Sequence, residues 1–135
     1  MQHMGTHLVA ELTGCRFEDL DSVDFVRRAL VRAAAQAKAT VLDASFHKFS
    51  PQGVSGVVVL AESHSSIHTW PEHGYAAVDV FTCGDQAMPE KAIESIVESF
   101  EPEHYAVREI PRGIPAARKS RPAAASLPLD LGEGA

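Results

Sequence analysis

Apolar and polar residues alternate loosely over residues 7–14, which predicts a strand that stops at Gly14. The period then changes: Val23, Val26, Leu30, Ala33 and Ala37 recur at helical spacing, with Arg27, Arg28 and Arg32 on the outer side as a solvated face. Asp21 or Ser22 stands where a first-turn cap belongs. Residues 39–49 and 54–62 are rich in Val, Phe and Leu and flank Ser50, Pro51, Gln52 and Gly53, so they read as a hairpin. Two shorter strands, 66–70 and 75–82, bracket Pro71, Glu72, His73 and Gly74, where proline cannot donate to a ladder and glycine accepts unusual backbone angles. Pro89 suits a first helical position, and Ala92, Ile93, Ile96, Val97 and Phe100 form an apolar stripe that Pro102 ends. A last strand is expected over about residues 104–110.

This order (strand, helix, several strands, helix, strand) predicts an α+β, two-layer sandwich: a mostly antiparallel sheet with two helices on one face. Val57, Val58, Val59 and Leu60 are apolar on both parities, so their strand is expected to be covered on both sides. A second copy of the sheet is the simplest cover, which predicts a homodimer formed through or beside the sheets. From Pro111 onward the composition shifts to Ala, Pro, Ser and Gly with scattered charge, too little apolar surface to offset ordering entropy. Residues 1–112 are therefore read as one domain and 113–135 as a mobile tail.

Bulk properties narrow the class. With 135 residues, 45% hydrophobic and 22% charged, the chain suits one soluble globular domain. A formal net charge of -6 argues against a partner bound by neutralising phosphates, so no nucleic acid is expected. No charged segment followed by an apolar run opens the chain, and Val57–Ala61 is far too short to span a bilayer. Neither a membrane partner nor a compartment beyond the cytoplasm is expected. There, Cys15 and Cys83 read as two free thiols.

Reactive side chains crowd one stretch: Glu62, Ser63, His64, His68, Trp70, Glu72, His73, Asp79 and Cys83. Singly, each is best read as a hydrogen-bonded residue of a half-exposed sheet. Together they suggest a site, because Glu62, His64, Ser66, His68, Trp70 and Glu72 share one parity and would line one face of a regular strand. A metal centre built from His64, His68, His73, Glu72 and Cys83 is disfavoured, since His64 and His68 sit four positions apart on a strand, roughly 13 Å. A thiol hydrolase with Cys83 as nucleophile, His68 as base and Asp79 as orienting group fits the residue types. It leaves Glu62, Ser63 and Trp70 without a role.

Residues 61–84, Ala-Glu-Ser-His-Ser-Ser-Ile-His-Thr-Trp-Pro-Glu-His-Gly-Tyr-Ala-Ala-Val-Asp-Val-Phe-Thr-Cys-Gly, closely resemble the core of prokaryotic S-adenosylmethionine decarboxylase proenzymes. Residues 5–11 and 46–56 resemble the same family, and the likeness runs from about residue 4 to 112. The resemblance implies self-cleavage between Glu62 and Ser63 into 1–62 and 63–135, with Ser63 becoming a pyruvoyl group that captures the substrate amine as a Schiff base. It implies that Ser55 and His68 assist processing, His68 as the base, and that Cys83 is the proton donor in decarboxylation. Phe49 and the His68 region would stack on adenine, Glu72 would bind the ribose hydroxyls, and Trp70 would form a pocket wall beside Ser65 and Ser66. Neither a metal nor pyridoxal phosphate is implied, and the product would feed spermidine and polyamine synthesis.

Elementary chemistry agrees with these roles. Ser63 Oγ can attack the preceding carbonyl to give an ester, and a nearby base can then remove the α-proton so that elimination frees the first chain. Gly53 and Gly56 beside Ser55 would let backbones approach closely. The family commonly has leucine where this chain has Ser65, so a pocket beside Ser63 is expected to be looser. A pyruvoyl-dependent decarboxylase of arginine or ornithine, and an uncleaved binding module without activity, are the alternatives.

Overall fold

Six antiparallel strands form one sheet in the order β2-β3-β4-β5-β1-β6 in a computed structural model that describes residues 4–84 and 87–113. Strand β1 (Gly5–Thr13) is followed by a short helix α1 (Phe17–Leu20) and by α2 (Val23–Gln36). Strands β2 (Val41–Lys48), β3 (Val54–Leu60), β4 (Ser63–Trp70) and β5 (Tyr75–Cys83) form a meander, with one 3-10 turn, Pro71–His73, between β4 and β5. Helix α3 (Pro89–Phe100) leads to β6 (His104–Arg112), which returns beside β1. The expected α+β two-layer architecture is the one observed. The reading of 113–135 as a mobile tail falls, beyond Gly113, outside the described residues.

Alternation assigns the two faces. Leu8, Ala10, Leu12, Val54, Val58, Ile67, Ala76, Val78 and Val80 are buried on one side, under Val26, Leu30 and Ala33 of α2 and Ile93, Ile96 and Phe100 of α3. Small residues along α2 let it lie close to both sheet and α3. Ser22 caps α2 by accepting from the Phe25 N–H at 3.0 Å, while Asp21 turns outward to the hairpin, accepting from Gly53 N–H at 2.9 Å. The other face is open in the single chain: Val59 and Trp70 are each 41% exposed, and His68 is exposed.

Gly56 has a different task from the one expected of it. A Cβ there would lie 2.0 Å from the ring of Phe46, its cross-strand partner, so the missing side chain makes room for an aromatic ring on the helix-bearing face. Gly53 does sit in the β2–β3 connection, at φ 110°, where a Cβ would lie 3.3 Å from the Thr69 carbonyl oxygen.

Thr69 joins three elements. Its buried hydroxyl accepts from Val54 N–H at 2.9 Å and donates to the Leu20 carbonyl at 2.8 Å, tying β3, β4 and α1 together. Thr69→Val keeps the shape but strands two buried backbone groups. A loss of about 1–3 kcal/mol is expected, read as a lower urea midpoint at unchanged m-value.

Candidate active site

The first cluster is built on the β3–β4 connection. Ala61 N–H donates to the Thr40 carbonyl at 2.8 Å, and the Glu62 carboxylate accepts from Thr40 N–H at 3.0 Å. With the turn pinned on this side, the Glu62 carbonyl faces β5. Cys83 donates to it twice, from its backbone N–H at 3.1 Å and from its thiol at 2.9 Å. Two donors on one carbonyl polarise it and stabilise negative charge on its oxygen, as an oxyanion hole does. The next residue, Ser63, has φ 156°, a conformation that residues with side chains rarely adopt. Polarisation and backbone strain thus fall on the same peptide bond, Glu62–Ser63.

A second cluster lies further along β4 on the open face. Ser55 and His68 are cross-strand partners, and Ser55 Oγ is hydrogen-bonded to His68 Nδ1 at 2.8 Å. They line a shallow hollow of about 260 Å³ with Ser45, His47, Val57 and Ser66. Phe49, 45% exposed, meets the His47 ring edge-on at 4.5 Å, and the exposed Trp70 ring lies 5.2 Å from Tyr75 and 6.5 Å from His68. Tyr75 donates to Glu11; burial and then this bond push the phenol up to about 12. Glu72 stands exposed on the 3-10 turn at this same end.

A third cluster centres on Asp79, on the open face between the other two. Its carboxylate accepts from His7 Nε2 at 2.6 Å, from His64 Nε2 at 3.3 Å and from the Ser66 hydroxyl. Desolvation would raise this carboxyl, but the bonds from Ser66, His7 and His64 together hold it below the ordinary range. Arg112 donates to His7 Nδ1 at 2.9 Å. Because guanidinium only donates, that nitrogen must accept, which leaves the His7 proton on Nε2, directed at Asp79. Ligand-type atoms of His7, His64 and Asp79 do lie within 4.8 Å of one another. The Arg112 bond, however, opposes the Nδ1 proton that a neutral imidazole bound to metal through Nε2 would carry.

The sequence-predicted residues are thus divided. Glu62, Ser63 and Cys83 come together, and so do Ser55 and His68, but five residues of β4 put His68 about 16 Å from Ser63 in one chain. His64, Ser66, His68 and Trp70 share the open face, whereas Glu62 lies in the preceding turn and Glu72 in the following one, outside that row. Ser65 points the other way and is 5% exposed on the helix side, because parity opposes it to Ser66. It cannot loosen a pocket on the open face. Asp79 bonds His7, His64 and Ser66, and His68 bonds Ser55, so a Cys83, His68, Asp79 hydrolase triad is not assembled. His7 and Arg112 had no sequence signal beyond their residue types.

An antiparallel α+β sandwich with a doubly hydrogen-bonded carbonyl at the β3–β4 turn defines the fold and the site, and comparison with known proteins places them in a family. The family model described as S-adenosylmethionine decarboxylase matches residues 6–113. The S-adenosylmethionine decarboxylase proenzyme of Pelotomaculum thermopropionicum is 54% identical over 114 residues, 84% of this chain and 90% of that one. That of Thermodesulfovibrio yellowstonii is 50% identical over 121 residues, 90% of each chain. The crystal structure of the adenosylmethionine decarboxylase from Aquifex aeolicus VF5 superposes with a TM-score of 0.81 at 37% identity, over 90% of this chain and 100% of that one. This chain belongs to the S-adenosylmethionine decarboxylase family.

The two thiols differ sharply. Cys15 is buried, and burial with the nearby Asp19 charge raises its pKa to about 11, whereas Cys83 is exposed. Iodoacetamide at pH 8 should therefore label Cys83 in the folded protein and leave Cys15 unmodified until denaturant is added, as peptide mass mapping would show.

Proposed function

We propose that this chain is a proenzyme that cuts itself between Glu62 and Ser63 and then decarboxylates S-adenosylmethionine. The observation that carries the proposal is the Glu62 carbonyl, held by two Cys83 donors beside a strained Ser63. In the first step Ser63 Oγ bonds to the Glu62 carbonyl carbon, Cys83 supports the oxyanion, and the amide nitrogen departs to leave an ester and a free amine. A base then takes the Ser63 α-proton, and the ester breaks at Cβ to release the first chain with a new C-terminal carboxylate on Glu62. The resulting enamine tautomerises to an imine, water adds, and ammonia is lost to give the pyruvoyl end of fragment 63–135.

His68, oriented through Nδ1 by Ser55, is the base in this reading, and its distance from Ser63 defines how the site is assembled. A second copy laid antiparallel over the open face brings the partner's His68 and Ser55 to the Glu62–Ser63 end of the first, and the reverse. Such an isologous pairing makes two equivalent sites and covers the apolar residues left exposed on this face, among them Val59 and Ile110. The homodimer is therefore part of the proposed chemistry.

The same pairing gathers the substrate groups. Phe49 and Trp70 offer exposed rings to a purine and a sulfonium, and Glu72 offers a carboxylate to ribose hydroxyls. A pyruvoyl group supplies an electrophilic carbonyl that binds the substrate amine and draws electrons as carbon dioxide leaves. The Cys83 thiol, relieved of the Glu62 carbonyl after cleavage, returns a proton to the carbon in this reading. The names of the relatives support S-adenosylmethionine over arginine or ornithine, and support an enzyme over an uncleaved binding module. The product would serve as the aminopropyl donor of cytoplasmic spermidine and polyamine synthesis.

Intact-mass analysis of the purified protein should show fragments 1–62 and 63–135, the latter blocked by pyruvoyl, and the cleaved protein should release carbon dioxide from S-adenosylmethionine in a turnover assay. Ser63→Ala should remain one chain. An intact wild-type chain, or release only from arginine or ornithine, would overturn the proposal.

A further inference from the structure

We infer that Asp79 is a positioning residue that holds the newly cut end of β4 in place after self-cleavage, through His64. The inference rests on the cleavage reading above. Before the cut, residue 63 is held from both sides: by Glu62, which is anchored to Thr40 and to Cys83, and by the β4 ladder. Cleavage removes the first of these anchors. What then keeps the reactive end in register is the start of β4, paired with Leu60 of β3 and Thr82 of β5, together with the first side chain beyond the cut, His64. A terminal residue of a strand frays unless something ties it down.

His64 is tied to Asp79, and Asp79 is held by two further donors, one of which is itself fixed by a third group. Ser66 donates from β4 itself, His7 from β1, and Arg112 at the end of β6 fixes the proton of His7 on the nitrogen that faces Asp79. The same groups enclose Phe81: the rings of His7 and His64 lie 5.2 and 5.8 Å from it, and the Arg112 guanidinium 5.5 Å above it. Phe81 in turn fills the space beside Gly5, where a Cβ would lie 2.7 Å from the ring, and Gly5 is the cross-strand partner of Cys83. One network thus reaches both the residue after the pyruvoyl and the strand end that carries the proton donor. A carboxylate is required at its centre. The isosteric amide of Asp79→Asn would offer one oxygen to three donors and set its own N–H groups against one of them.

The separation of cleavage from turnover tests this. Asp79→Asn should be cut to the same extent as wild type, because Glu62 still holds residue 63 until the bond breaks. Its kcat should then fall about tenfold or more, as for a misplaced reacting group, with KM within about twofold. His64→Ala, which leaves Asp79 bonded to His7, should show the same split. Hydrogen exchange of amides 64–68 should accelerate in the cleaved variants and stay at the wild-type rate in versions that also carry Ser63→Ala. Wild-type kcat in both variants, or cleavage and kcat falling together with the thermal midpoint, would overturn the inference while leaving the proposed function intact. A wild-type protein that does not cleave would overturn both.

Discussion

The register of β4 against β5 is the constraint on which the rest depends. Pairing Ser63 with Thr82 sets the Glu62 carbonyl opposite Cys83, where backbone N–H and thiol both reach it. A slip of one residue would turn every side chain of β4 to the other face. Ile67 and Thr69 would leave the core, and His64 and His68 would enter it. The hydrophobic core therefore enforces the geometry of the peptide bond that the chain is proposed to cut. Thr69, bonded to Val54 and Leu20, fixes the same register from the far end of the strand.

That register also distributes the chemistry. The bond to be cut and the Cys83 thiol lie at one end of the central strands. The Ser55–His68 pair lies toward the other, with Phe49, Trp70 and Glu72 beyond it. A single chain holds two halves of a site too far apart to work on each other. In the proposed homodimer, antiparallel apposition of two identical faces would close that gap twice over, and the apolar residues left exposed there supply a reason to associate. The Asp79 network occupies the ground between the halves and joins β4, β5, β1 and the edge strand β6.

Much of this was legible in the sequence because alternation and helical period survive the whole chain. The two long helices, the hairpin and the last strand fall where the pattern puts them. Strand β4 begins three residues earlier than its apolar content predicts, since Ser63, His64 and Ser65 carry no hydrophobic signal and are recruited by ladder bonds to β3 and β5. Ser65 turns to the helix side for a related reason: proximity to Ser63 along the chain says nothing about which face a side chain takes. Family resemblance singles out Ser55 and His68, yet their pairing and their distance from Ser63 depend on sheet geometry. Arg112, His7 and Asp79 meet only because β6 returns beside β1 and β1 beside β5, a non-local arrangement without a local sequence signature.

Complementation between two inactive chains tests the shared site most directly. His68→Ala keeps Ser63 but lacks the base, and Ser63→Ala keeps His68 but lacks the nucleophile. Alone, neither should yield fragment 63–135. Co-expressed, they should form mixed dimers with one complete site, and about half of the His68→Ala chains should be cut if copies pair at random. The fragment is recognised by the mass of the missing imidazole. Full cleavage of His68→Ala by itself, or none in the mixture when mixed dimers are present, would contradict a site built from two chains.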